Sequence, residues 1–184
     1  LAATSSSSYG YFGGGTVSLI SRLDFSNETL SNPGKNLPTS RSNLAATSSS
    51  SYGYFGGGSL PNVCTITRLD FSNEVLSQPG KNLSSVTYNL AATSSNSYGY
   101  FGGGYETLPG TVNRITRLDF LNETVSLPGK DLPTVRGYLA ATSSSSYGYF
   151  GGGTTPLRTN LVSRLDFSNE TVSAPGKNLP TARY

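Results

Sequence analysis

The sequence predicts an all-β fold, and three observations predict it. The tetrapeptide Leu-Ala-Ala-Thr begins at Leu1, Leu44, Leu90 and Leu139, so near-copies of one unit fill all 184 residues. No window places apolar residues at i, i+3, i+4 and i+7, which leaves no amphipathic helix. Each unit breaks instead into short small-residue or aromatic runs separated by Ser-, Gly- and Pro-rich turns, the pattern of strands. The units cover residues 1–43, 44–89, 90–138 and 139–184, within one domain spanning residues 1–184. A fixed period of this length marks a supersecondary unit that cannot bury its apolar face alone and must stack on its neighbours.

The first unit shows the elements in order. Strand a is expected near residues 1–6, where Ala2, Ala3, Thr4 and Ser5 are small enough for a crowded innermost position. Strand b, residues 8–12, carries Tyr-Gly-Tyr-Phe and ends at three glycines, which alone adopt the backbone angles of a crowded corner. Strand c, residues 19–25, contains Arg-Leu-Asp-Phe. Ser26-Asn27-Glu28 reads as a turn, and strand d, residues 29–31, stops before Pro33-Gly34. Four short antiparallel strands per unit are the pattern of a propeller blade, so the expected architecture is a four-bladed β-propeller. A closed ring would bring Tyr184 to roughly 4–7 Å from Leu1 between Cα atoms. The alternative is a longer array, or pairing with a further copy into a larger assembly.

The order Leu-Pro-Thr-Ala-Arg (179–183), Leu-Ala-Ala-Thr, Tyr-Gly-Tyr-Phe-Gly-Gly-Gly and Arg-Leu-Asp-Phe resembles the kelch repeat, four times over the whole chain. Kelch units place Pro-x-x-Arg before strand a, an apolar strand b ending in Gly-Gly, and an aromatic-Asp segment near strand c. Two departures stand out. Kelch units usually carry a Trp on strand d, and this chain has none; the second unit has Ser84 and Thr87 where the others have Pro and Arg. The Tyr-Phe-Gly-Gly-Gly form also resembles repeats in structural proteins of marine bacteriophages. The resemblance implies that the segments between the glycines and Arg-Leu-Asp-Phe are b–c loops, which project from one rim and bind partners in kelch propellers.

Composition narrows the function. Charged residues are 12% of the chain, about half the usual share, so the polar surface is Ser, Thr, Asn and backbone. Formal charge is +3 without a basic run, which disfavours nucleic acid as a partner. No apolar run is long enough to span a bilayer as a helix. There is no His, which excludes Ser-His-Asp triads, His acid–base chemistry and imidazole metal sites. No catalytic, metal or cofactor site is expected. Cys64, the single cysteine, lies beside Val63 and reads as an apolar filler. With no Met, even at position 1, the chain reads as processed or as a segment of something longer.

Candidate functional residues lie where the units differ. The inserts are residues 16–21, 59–67, 105–116 and 154–163, with 6, 9, 12 and 10 residues. A rigid scaffold carrying divergent loops suits recognition of a protein or glycan surface. Tyr105, Glu106, Arg114 and Arg158 are the non-repeated groups most able to make strong contacts, and Tyr and Arg favour binding hot spots. The repeated pairs Arg22 and Asp24, Arg68 and Asp70, Arg117 and Asp119, and Arg164 and Asp166 read as structural. Residues i and i+2 share a strand face, where they can pair with each other or reach a neighbouring blade. Tyr9, Tyr52, Tyr98 and Tyr147 read as packing residues, with a sugar-stacking surface as the alternative. Asn27, Asn82, Asn122 and Asn169 lie in Asn-x-Ser/Thr sequons. The function expected is a non-enzymatic structural or interaction protein, extracellular or virion-associated, with adhesin-like binding through the variable loops. Lectin-like glycan binding and protein binding by a kelch domain are the alternatives.

Overall fold

The computed structural model describes residues 1–108 and 110–184. Each unit folds into one four-stranded antiparallel sheet, and the sheets follow one another as blades in a four-bladed β-propeller arrangement. Among the described residues there is no helix. The inner strands are Ala2–Ser5, Ala45–Ser48, Ala91–Ser94 and Ala140–Ser143. The second strands are Tyr9–Gly13, Tyr52–Gly56, Tyr98–Gly102 and Tyr147–Gly151. Third come Ile20–Asp24, Ile66–Asp70, Ile115–Asp119 and Val162–Asp166. The outer strands are the two-residue segments Leu30–Ser31, Leu76–Ser77, Val125–Ser126 and Val172–Ser173.

Side-chain size follows position in the blade. Inner strands of successive blades lie directly against one another, so only Ala, Thr and Ser fit there. In the second strand, adjacent residues point to opposite faces. Tyr54 therefore packs forward into the core between blades 2 and 3, while Phe55 packs back into the core between blades 1 and 2. Phe55 lies over Gly13, where a Cβ would sit 2.8 Å from its ring. Phe101 lies over Gly56 in the same way, at 2.6 Å. Only glycine lets the blades approach this closely.

Three hydrophobic clusters result, one at each junction between consecutive blades. Tyr11, Ile20, Leu37 and Leu44 meet Phe55 and Leu69 at the first; equivalent residues build the second and third. Each fully buried aromatic in these clusters removes about 150–250 Å² from water.

The fourth junction that a closed ring would make is not packed like the other three. Among the described residues, no cluster, ion pair or hydrogen bond joins blade 4 to blade 1. The three like junctions leave the outward faces of both end blades exposed, and Phe25 is 48% exposed as a result.

Candidate functional site

The repeated charges tie blades together. Arg22 donates to Glu74 of the next blade at 2.8 Å, and Tyr11 Oη donates to the same carboxylate at 3.1 Å. Arg68 and Tyr54 converge on Glu123, and Arg117 and Tyr100 on Glu170. The receiving glutamates occupy left-handed backbone, with φ of 58° at Glu74 and 56° at Glu123 and Glu170. The c–d turn holds them there: Asn73 Oδ1 accepts from the Val75 N–H, and Glu74 N–H bonds Asp70 O. Burial and the neighbouring carboxylate raise the Tyr11 phenol, while the bond to Glu74 raises Arg22. Each arginine also covers a tyrosine of its own blade, Arg22 lying 4.7 Å from the Tyr9 ring centroid.

The aspartates do different work from their arginines. Asp24 Oδ1 accepts from Ser26 Oγ at 2.6 Å and Ser26 N at 2.8 Å, and these bonds hold its carboxyl below the usual range. Asp70 and Asp166 do the same with Ser72 and Ser168. Among the described residues Asp119 accepts only the Leu121 N–H, because its turn has no serine there.

A second tie comes from the segment preceding each inner strand. Arg41 is 1% exposed and enters the next blade, donating to Gly57 O, Thr65 O, Phe55 O and the hydroxyls of Thr65 and Thr67. Arg136 makes the equivalent entry, to Gly152 O, Leu161 O and Ser163 Oγ. Backbone carbonyls here take the place of a carboxylate, since a buried cation must be hydrogen-bonded. Burial pushes the Arg41 guanidinium down to about 10, still charged at neutral pH.

The second unit has Thr87 at that position, and the third insert supplies what is missing. Arg114, aligned with Thr65, bonds Ser85 Oγ at 2.8 Å and pairs with buried Glu106, which also accepts from Ser85. Two of the four candidate residues are therefore internal to a blade junction. Their insert is no loose loop: Val112 is 6% exposed, and Tyr105–Glu106 pairs antiparallel with Thr87–Tyr88. Pro109, within this insert, lies outside the described residues.

The other two candidates, Tyr105 and Arg158, flank an aromatic strip. Tyr105 stacks on Tyr88, with centroids 5.9 Å apart, and meets Tyr138 edge-on at 5.5 Å. Tyr138 lies 5.7 Å from Tyr184, whose ring carries the Arg158 guanidinium at 4.6 Å. Tyr105 Oη shares a 2.9 Å hydrogen bond with Thr154 Oγ1, joining the third and fourth inserts. Tyr138 and Tyr184 are 48% and 65% exposed. The strip spans blades 3 and 4 and has no counterpart in blade 1, which carries Asn43 where blade 3 carries Tyr138. Tyr88, Tyr138 and Tyr184 were not among the expected site residues; their departure from the repeat at the unit ends was the available signal.

The remaining expectations fall into place around these ties. Tyr9, Tyr52, Tyr98 and Tyr147 are half-buried beneath arginines. Cys64 is half-buried against the second junction. Among the described residues, no three His, Cys, Asp or Glu side chains group as a metal site, and no helix is long and apolar enough to cross a membrane. No protein-family model matches the chain, and no curated protein matches it.

Proposed function

We propose that this chain is a non-enzymatic interaction protein that holds its partner on the rim of blades 3 and 4. The observation that carries the reading is the strip of half-buried Tyr105 with exposed Tyr138 and Tyr184, capped by Arg158. Tyr and Arg dominate binding hot spots, tyrosine because it brings large contact area with few rotors to immobilise and arginine because its planar guanidinium offers a fixed fork of donors. A scaffold of kelch-like blades of the Tyr-Phe-Gly-Gly-Gly kind, low in charge and rich in Ser and Thr, suits an extracellular or virion component with adhesin-like binding. Protein and glycan surfaces both fit an aromatic strip with one guanidinium.

A second reading has its own observation. Equivalent grooves lie between blades 1 and 2 and between blades 2 and 3. They are about 440 and 450 Å³ in volume and are lined by serines with Tyr52, Asp70 and Phe71, or Tyr98, Asp119 and Phe120. Hydroxyls, a carboxylate and a tyrosine edge suit a sugar, and repeated weak sites gain through multivalency.

The test compares the parent with the triple substitution Tyr138→Ala, Arg158→Ala and Tyr184→Ala on a glycan array and a panel of immobilised cell-surface proteins. All three side chains are exposed, so the fold is expected to persist. The rim reading predicts at least a tenfold loss of affinity, about 1.4 kcal/mol. Undiminished glycan binding that falls on Tyr52→Ala or Tyr98→Ala moves the site to the grooves. Silence of the parent on both surfaces overturns the binding reading and leaves a structural spacer.

A further inference from the structure

Every contact that joins one blade to the next has its two halves left over, one on blade 4 and one on blade 1. On blade 4, Tyr149 is half-buried where Tyr11, Tyr54 and Tyr100 are fully buried. Arg164 Nε is buried without a partner, whereas the equivalent Arg22, Arg68 and Arg117 each donate to a serine from Nε and to the next blade's glutamate from Nη1. Arg183 stands in the register of Arg41 and Arg136: its carbonyl accepts from Gly153 N–H, as Arg136 O does from Gly104 N–H. Yet Arg183 is exposed. Gly151 meets nothing closer than 3.8 Å, where Gly13, Gly56 and Gly102 each lie under a phenylalanine. Ala141, Thr142, Tyr149, Val162 and Leu179 line an apolar cleft of about 490 Å³ on this face.

Blade 1 presents the complementary half. Phe12 is half-buried where Phe55, Phe101 and Phe150 are at most 2% exposed. Leu23 is half-buried where Leu69, Leu118 and Leu165 are fully buried. Phe25 and Leu30 are 48% and 71% exposed. Glu28 keeps the left-handed turn, at φ 59°, although among the described residues no arginine or tyrosine reaches it.

We propose that blade 4 of one chain packs on blade 1 of a second copy, head to tail, and that two copies close as one eight-bladed ring. The face of blade 4 calls for a phenylalanine over Gly151 and a left-handed glutamate for Arg164 and Tyr149. It also calls for a cluster of carbonyls and a hydroxyl for Arg183. Blade 1 carries all of these in register as Phe12, Glu28, the carbonyls of Phe12 and Gly14, and Ser21. All three internal junctions show how the phenylalanine–glycine and arginine–glutamate pairs meet, and two of them, at Arg41 and Arg136, show how the buried arginine enters. The contact is heterologous, so it either closes or polymerises. Two copies supply eight blades, the upper end of the roughly four-to-eight range, whereas three would exceed it.

The experiment is sedimentation equilibrium on the parent, on Glu28→Arg, on Arg164→Glu, and on an equimolar mixture of the two variants. The parent is expected at twice the 19.3 kDa of one chain. Each variant alone sets like charges against each other at both junctions and is expected as a monomer, its association weakened at least tenfold. The mixture is expected to regain the pair, because a head-to-tail couple of unlike variants has opposite charges at each junction. A parent at 19.3 kDa overturns the proposal. So do variants that still self-associate, or a mixture that stays monomeric. A ladder of masses above the pair overturns the closed ring. Tyr138 and Tyr184 also line the cleft on blade 4, so the rim substitutions are repeated on the monomeric Glu28→Arg variant, where a loss of partner binding belongs to the rim and not to the pairing of copies.

Discussion

The junction between blades 1 and 2 and the one between blades 2 and 3 share the same aromatic core and the same Arg–Glu–Tyr tie, yet they fill their deepest polar position from opposite sides. At the first, Arg41 comes forward from the end of unit 1 into carbonyls of blade 2. At the second, Thr87 leaves that position short, and Arg114 with Glu106 fills it from the insert of the following unit. A small cavity of about 10 Å³ remains, lined by Thr87, Glu106, Arg114 and Thr116 among others. What the repeats preserve is a filled position rather than a residue. Part of the divergence in the third insert is therefore a structural repair, which leaves Tyr105 and Arg158 as the candidates for recognition.

The largest expected effect comes from breaking the first junction at its centre. Arg41→Ala strips the buried partners of three carbonyls and two hydroxyls and is expected to cost about 3–5 kcal/mol, read from urea unfolding. Arg114→Ala leaves Glu106 buried without its cation and is expected to cost about 3 kcal/mol. Adding Glu106→Gln should recover a large part of that loss, since the uncompensated charge is then gone. The sharper test of equivalence is Thr87→Arg combined with Arg114→Thr, which rebuilds the first junction's arrangement in the second. The pair should be more stable than the two single effects add up to, by about 1–3 kcal/mol of coupling. Simple additivity would show that the two plugs do not occupy one position.

Gly56→Ala tests the apolar half of the second junction. Its Cβ would lie 2.6 Å from the Phe101 ring, and the overpacking is expected to cost about 1–3 kcal/mol. Acid gives the smallest effect. The carboxyls of Asp24, Asp70 and Asp166 are held below their unfolded value by serine hydroxyls. Their stabilising contribution is present above the unfolded pKa, about 4, and is lost as pH falls through the lower folded value. Thermal scans from pH 6 to pH 2 should show a decline confined to the acid end. Ser72→Ala should reduce the part of it that belongs to blade 2.

The fold was legible because it is local and repeated. Strand b was expected at residues 8–12 and is Tyr9–Gly13; strand d was expected at 29–31 and is Leu30–Ser31. The ties between blades were less legible. Arg22 is two residues from Asp24, and spacing alone invites that pairing, but its partner Glu74 lies 52 residues on, in a turn whose backbone is left-handed. Nothing in the local pattern distinguishes a glutamate that turns back to the preceding blade from one that faces solvent. The role of Arg114 was hidden for the same reason: its meaning depends on the absence of an arginine at Thr87, in another unit. The open fourth junction was legible only as the alternative to a closed ring, because identical units predict identical junctions and say nothing of the angle at which each is set.

The brevity of the outer strands has a further consequence. A sheet edge with a long row of unpaired amide and carbonyl groups is a template for adding foreign strands, the first step toward aggregation. Here every blade ends in a two-residue strand, and two residues beyond it stands Pro33, Pro79, Pro128 or Pro175, which has no amide hydrogen to offer. A chain with so little charge to keep its copies apart thus blunts its own edges against indiscriminate strand addition. This protection is written four times into the repeat and costs the blade nothing but length.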